Sequence, residues 1–212
     1  MRIILLGPPG AGKGTHAGTL AELKNVPHVA SGDLFRKHQQ EQSELGVLAA
    51  SFMSKGELVP DEVTIRMIKQ RLEEPDCTDG IILDGFPRTV AQANALDELL
   101  TSLETGLDLV LYIAVSEDEL VKRLGGRITC RNCQTPYNLV SSPPKNENVC
   151  DQCEGELYQR PDDTSDAVRQ RIQVFAKQTE PLVEYYAAKG ILVEIDGEQD
   201  ITEVKQSLVA AV

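Results

Sequence analysis

Near the amino terminus, Gly7-Pro8-Pro9-Gly10-Ala11-Gly12-Lys13-Gly14-Thr15 follows the apolar run Ile3-Ile4-Leu5-Leu6 and leads into an alanine-bearing segment suited to a helix. A glycine turn between a buried strand and a helix frees backbone N–H groups to point at one spot, where the helix also places the positive end of its dipole. That arrangement suits a phosphate. Glycines let the backbone approach closely, and Lys13 adds a full charge able to reach a transferring phosphoryl group. The generic pattern G-x-x-x-x-G-K-[ST] is not met, because Gly14 follows Lys13 and the hydroxyl arrives one residue later at Thr15. The alternative is a glycine-rich turn that binds nothing. A second apolar run, Ile81-Ile82-Leu83, ends in Asp84, a carboxylate placed to hold magnesium directly or through its waters.

Cys130-x-x-Cys133, sixteen residues and then Cys150-x-x-Cys153 form a separate chemistry. Each CxxC turn offers two thiolates to one ion, and four close a tetrahedral site with no open position, which makes the metal structural. Disulfides and reduced, metal-free thiols are the alternatives. The surrounding residues are poor in apolar side chains, so a metal clamp suits them. Cys77, in the polar stretch Asp76 to Gly80, fits no site.

These residues must be held by a scaffold. Short β-branched runs alternate with helical segments, which predicts an α/β fold with a parallel sheet covered by helices. Expected strands are Ile3–Leu6, Ile81–Leu83, Leu109–Ile113 and Ile191–Glu194, with a weaker one at Pro27–Ala30. Expected helices are Lys13–Leu23, Asp61–Leu72, Thr89–Leu103, Glu117–Leu124, Ser165–Lys189 and Thr202–Ala210. The helix near Thr89 is expected to turn Ala91, Ala95, Leu96 and Leu99 toward the core. Two stretches interrupt the alternation: Ser31 to Val59, read as short polar helices, and Arg127 to Asp163, read as a loop or small hairpin holding the cysteines.

The chain has 212 residues and a formal charge of −12. An acidic balance argues against an electrostatic grip on nucleic acid or anionic membrane, while permitting a local basic cleft. No apolar run is long enough for a secretory core or a membrane span, so a cytoplasmic location is expected.

The motifs resemble those of the adenylate kinases. G-x-P-G-A-G-K-G-T from Gly7 to Thr15 is similar to that family's phosphate loop and accounts for Gly14 in the hydroxyl position. Leu83-Asp84-Gly85-Phe86-Pro87-Arg88, Ser31-Gly32-Asp33-Leu34-Phe35-Arg36 and Gly56-Glu57-Leu58-Val59-Pro60-Asp61 resemble its nucleoside-monophosphate segments, in family order. The resemblance implies a P-loop three-layer fold with a central parallel sheet, an inserted monophosphate-binding lobe and a zinc-bearing LID. The CORE would comprise 1–30, 60–126 and 164–212, the AMP lobe 31–59 and the LID 127–163. It implies reversible transfer from Mg-ATP to AMP giving two ADP, by a monomer with no nucleic-acid or membrane partner.

By the same resemblance Gly10, Ala11, Gly12, Lys13, Gly14 and Thr15 would cradle ATP phosphates, with Arg127, Pro136, Tyr137 and Gln199 also at the ATP site. Ser31, Arg36, Glu57, Leu58, Val59, Gly85, Phe86, Pro87, Arg88 and Gln92 would line the AMP site. Arg123 and Arg127, expected four apart on one helical face, would meet the phosphoryl groups, and Arg160 and Arg171 would close over them. Asp33 and Asp84 would stand in the magnesium's outer shell, and Cys130, Cys133, Cys150 and Cys153 would hold Zn2+. The arginines also make sense physically, since phosphoryl transfer asks a protein mainly to align two nucleotides and neutralise spread charge. Guanidinium groups do this with a bidentate geometry lysine lacks.

Ser31 stands where threonine is more usual, keeping the hydroxyl, and His16, where glutamine is common, reads as a helix-surface side chain. A kinase for another nucleoside monophosphate remains an alternative, as do a nucleotide-binding switch and a zinc-ribbon nucleic-acid binder. Neither of the last two needs the second-nucleotide motifs.

Overall fold

The computed structural model describes the backbone of residues 1–212 and the side chains of all but Ser165. Five parallel strands form the central sheet: β1 (Arg2–Leu6), β2 (His28–Ala30), β3 (Ile81–Asp84), β4 (Leu109–Ala114) and β8 (Leu192–Asp196), in the order β2-β3-β1-β4-β8. Ile3 pairs with Ile82 on one side and Leu109 on the other, and β1 is buried on both faces. That explains why its sequence is continuously apolar rather than alternating.

Successive side chains go to opposite faces. Ile4, Leu6, Ile81, Leu83 and Val110 share one core with α4 (Asp61–Leu72), α5 (Val90–Ser102) and α8 (Pro181–Ala188). Ile3, Leu5, Ile82, Leu111, Ile113 and Ile195 share the other with α1 (Lys13–Lys24) and α9 (Ile201–Ala210). The expected three layers are present. The α5 stripe is rotated, however: Ala93, Leu96 and Leu100 are buried with Gln92, whereas Ala91 is exposed and Ala95 and Leu99 are only partly covered. Thr89 caps the helix by accepting from the Gln92 N–H, and this sets its phase.

Between β2 and β3 lie α2 (Ser31–Gln40), α3 (Glu44–Met53) and α4, so the stretch 31–59 does hold two short helices, although α3 is mainly apolar rather than polar. After β4 come α6 (Glu117–Gly125) and a three-stranded antiparallel sheet of β5 (Arg127–Cys130), β6 (Pro136–Asn138) and β7 (Leu157–Tyr158). Its small core is Cys130, Tyr137, Cys150 and Leu157, with Ile128 packed beside it.

The helix expected over 165–189 is interrupted. α7 (Ser165–Val174) runs into one wide turn at Phe175–Thr179 before α8 begins at Pro181. Pro181 has no N–H and its ring crowds the carbonyl one turn back, so the preceding turn widens, with the Glu180 N–H bonding to Phe175 O at 2.9 Å. The wide turn brings Phe175 and Thr179 to the same cleft as Arg171.

Tyr186 is fully buried and its hydroxyl has no partner among the described residues. Replacing it with phenylalanine removes an unsatisfied polar group, and Tyr186→Phe is expected to match or exceed the parent's stability, by up to about 1 kcal/mol. Ile82→Ala, which opens a cavity at a fully buried position, is expected to lose about 2–5 kcal/mol. Chemical denaturation of the two variants checks both signs.

Candidate active site and metal centre

The turn after β1 carries two glycines in the left-handed region, Gly10 (φ 89°) and Gly12 (φ 92°). A Cβ on Gly10 would stand 3.0 Å from Leu124, so the loop can pack against α6 only without one. Gly12 then starts α1 with no side-chain cap, and the Lys13 and Gly14 N–H groups are left for a ligand, while that of Thr15 donates to Gly12 O at 3.0 Å. The Lys13 ammonium curls over the loop, donating to Gly7 O at 2.7 Å and Pro8 O at 2.9 Å. Withdrawal from water pulls its pKa down to about 8; Asp84 opposes the shift and Arg88, Arg171 and Arg127 reinforce it.

Asp84 ends β3 beside this loop. Burial works to raise its pKa, yet His28, Lys13 and Arg88 hold it below the ordinary carboxylate value, so it is charged. His28 Nε2 lies 3.6 Å from Asp84 Oδ2, an ion-pair separation rather than a hydrogen bond.

A cleft of about 1520 Å³ runs from the phosphate loop to α2 and is lined by every residue expected at the nucleotide and magnesium sites except Phe86, which lies buried in the core beneath it. One small ligand usually occupies about 300–1,000 Å³, so there is room here for two. Seven cations reach the cleft of this acidic chain: Lys13, Arg36, Arg88, Arg123, Arg127, Arg160 and Arg171.

At one end, Arg88 donates from Nε to Gly85 O at 2.8 Å, and its own carbonyl accepts from Thr179 Oγ1 at 2.9 Å. Gln92 accepts from the Arg88 N–H at 2.8 Å and donates to Asp61 at 2.7 Å, which leaves one amide N–H and one lone pair for a ligand. Ser31 donates to Gly85 O at 2.6 Å, tying α2 to the end of β3. Glu57, Leu58 and Val59 follow along the same wall, and Arg36 pairs with Asp33.

Between that wall and the phosphate loop, Arg127 and Arg171 share Asp163, whose side chain is fully buried. Arg127 Nε donates to Oδ2 at 2.8 Å and Arg171 Nη1 to Oδ1 at 3.0 Å. Asp162 adds a second carboxylate 2.8 Å from Arg171. Arg160 Nε is buried without a partner among the described residues. Burial, together with neighbouring arginines, lowers both Arg160 and Arg171 to about 10. A cluster of cations strained in this way is shaped for anions.

Several expectations need correction. Arg123 and Arg127 do not share a helical face, because α6 ends at Gly125 and Arg127 opens β5; Arg123 instead pairs with Glu119 at 2.9 Å. His16 is not on the surface: it is buried, with its ring against Gly12 at the cleft wall, and burial followed by Lys205 lowers its pKa. The Tyr137 hydroxyl accepts from the Asp151 N–H at 2.8 Å, and both residues line the cleft. Pro136 and the exposed Gln199 line the cleft. Asp162, Asp163, Glu119 and His28 were missed; the adjacent aspartates after Arg160 were the one available signal. Cys77 is buried beside Arg71, and burial raises its thiol to about 11, making it a poor nucleophile.

The family model described as Adenylate kinase matches residues 5–191. The chain belongs to the adenylate kinase family. It is 53% identical over 211 residues to the adenylate kinase of Desulfitobacterium hafniense strain DCB-2, covering 100% of this chain and 97% of that one. It is 51% identical over 210 residues to that of Archaeoglobus fulgidus, covering 99% and 97%. It is 55% identical over 207 residues to that of Streptomyces avermitilis, covering 97% and 94%. Family membership accounts for kinase activity on adenine nucleotides. No helix is long and apolar enough to cross a membrane.

The four paired cysteines bring their sulfurs within 4.8 Å of one another, with Cys130 and Cys153 3.4 Å apart and Cys133 and Cys150 3.5 Å apart. Tetrahedral zinc with Zn–S bonds near 2.3 Å spaces its sulfurs by about 3.8 Å, so the cluster fits that ion. All four are free of disulfides. Burial works to raise Cys150, but the Tyr137 hydroxyl and the backbone N–H groups of Gln152 and Cys153 bring it down to about 6. At Cys153 a backbone N–H from Gly155 favours the thiolate, yet the crowding Cys133 and Cys130 sulfurs push it up to about 12. A cation between the four sulfurs would relieve that crowding and favour the thiolate at each of them. Metal analysis should find about one zinc per chain, and chelation should lower Tm by on the order of 10 °C. A stable, metal-free protein with four titratable thiols would contradict the assignment.

Proposed function

We propose that the chain transfers the γ-phosphoryl group of magnesium-bound ATP reversibly to AMP, giving two ADP. The observation that carries this is the cleft itself: a phosphate loop at one end, the Ser31–Arg36 and Gly85–Gln92 groups at the other, and arginines between.

In this reading Gly10 to Thr15 hold the donor's phosphates through backbone N–H groups, with Lys13 on the transferring one. Gln199 and the Pro136-Tyr137 backbone flank the donor. Arg36 and Arg88 hold the acceptor phosphate, while Ser31, Glu57 to Val59, Gly85 to Pro87 and Gln92 surround its nucleoside. A carboxamide with one donor and one acceptor free matches the edge of adenine. Arg123, Arg127, Arg160 and Arg171 lie on the charge that spreads over the phosphoryl oxygens in flight.

No general base is required, because an AMP phosphate oxygen is already an anionic nucleophile. The buried, charged Asp84, with Asp33, suits the water shell of magnesium, which neutralises phosphate charge when bound. The three parts, 1–30 with 60–126 and 164–212, then 31–59, then 127–163, move as CORE, AMP lobe and LID. Their closure keeps water from the phosphoryl group until AMP is in place. Zinc clamps the LID and takes no part in the chemistry. The protein is a cytoplasmic monomer.

A coupled assay over AMP, GMP, CMP and UMP should show AMP turned over fastest, and a pyrimidine preference would overturn the choice of acceptor. Lys13→Met and Arg88→Ala should each lower kcat/KM by at least ~100-fold with Tm little changed. Near-parent rates would remove that residue from the site.

The free protein's Lys13 loses its proton as pH rises through about 8, below the usual 10.5, and a bound triphosphate draws that pKa back up. ATP binding should therefore take up protons near pH 8 and weaken as pH rises further. Calorimetry in two buffers of different ionisation enthalpy reads the uptake, and none at pH 8 would place Lys13 away from the phosphates.

A further inference from the structure

We propose that Gln134 is a positioning residue for the acceptor site, holding the Arg36 guanidinium from across the cleft. The inference rests on the reading above that Arg36 meets the acceptor's phosphate.

Gln134 follows Cys133 in the first cysteine turn, with a left-handed backbone (φ 60°) that side-chain-bearing residues rarely adopt. Its Oε1 accepts from Arg36 Nε at 3.1 Å, ninety-eight residues away in sequence, and its Nε2 donates to Arg131 O at 3.1 Å. A guanidinium only donates and a carbonyl only accepts, so both ends of the amide have a single permitted orientation. Asp33 takes Arg36 from the opposite side. Gly32 lies beneath, where a Cβ would stand 3.1 Å from both Arg36 terminal nitrogens, so the glycine lets the guanidinium lie close to the backbone. Among the described residues, the Gln134 bond is the one hydrogen bond that joins 31–59 to 127–163.

The chemistry of the partner is informative. Asp33 already provides one negative charge, and a second carboxylate at 134 would cancel the field that draws in the acceptor. A neutral amide fixes the direction of Nε and leaves the charge for the phosphate. The same contact forms only when the two inserted parts face each other, so it orients Arg36 in the closed arrangement and releases it on opening.

A double-mutant cycle tests this, with Gln134→Gly, Arg36→Ala, the double variant and the parent. Glycine is at ease with φ 60°, so Gln134→Gly removes the side chain while favouring the backbone; Gln134→Asn, one methylene short, serves as a second variant. Both should keep the parent's Tm and zinc content. The KM for AMP should rise about 3- to 10-fold in each, with the KM for ATP changed less than twofold. On the Arg36→Ala background, Gln134→Gly should add nothing further. An unchanged KM for AMP in Gln134→Gly, or effects that multiply in the double variant, would overturn the role of Gln134 while leaving Arg36 in the site. An unchanged KM for AMP in Arg36→Ala would instead overturn the acceptor-site assignment on which the proposal rests.

Discussion

Repulsion among cations is the constraint around which the rest of this molecule is arranged. Six guanidinium groups and an ammonium reach one cleft, where burial first and then the neighbouring cations lower Lys13, Arg160 and Arg171. Folding tolerates this because carboxylates are set among them: Asp163 between Arg127 and Arg171, Asp162 beside Arg171, Asp33 on Arg36, Asp84 beside Lys13. Each is placed to the side of a cation, which leaves donors directed at the cavity. The field is thus built before any anion arrives.

Placement follows from the sheet. Parallel strands send their carboxyl ends to one edge, and β1, β3 and β4 deliver the phosphate loop, Asp84 and the start of α6 there. The cleft residues are carried at that edge or in the crossings above it. The cysteine sheet has so small an apolar core that its four sulfurs and the Tyr137 hydroxyl are its principal internal ties. The central sheet rests on two large apolar cores, whereas the cysteine sheet rests on a handful of side chains.

Much of this was legible in the residues. The strands Ile3–Leu6 and Ile81–Leu83 stood out because burial on both faces demands unbroken apolar runs. The phosphate loop and the CxxC pairs were readable because backbone geometry and metal coordination act over short spacings. What escaped was set by residues far apart in the chain. Asp163 shows no local sign that it holds two arginines. His16 looked exposed because nothing near it in sequence announces that α9 covers that side of α1. The widened turn at Phe175–Thr179 depended on Pro181, which lay in view inside the expected helix, and its effect was to shift which side chains reach the cleft. Arg36 and Gln134 meet only when two insertions fold toward one another.

The strand order also bears on how the chain is made. β1 emerges first but sits in the middle of the sheet, between β3 and β4, and the outer strand β8 is formed only by residues 192–196. A nascent chain therefore carries Ile3 to Leu6 as an unpaired, fully apolar strand until about eighty further residues have been synthesised, and the sheet is incomplete until nearly the last helix. At ordinary rates of about 5–20 residues per second, that exposure lasts on the order of seconds. The most buried strand of the finished enzyme is the one that waits longest, which makes the amino-terminal hydrophobic run the point where assembly is most open to capture by chaperones or by other chains.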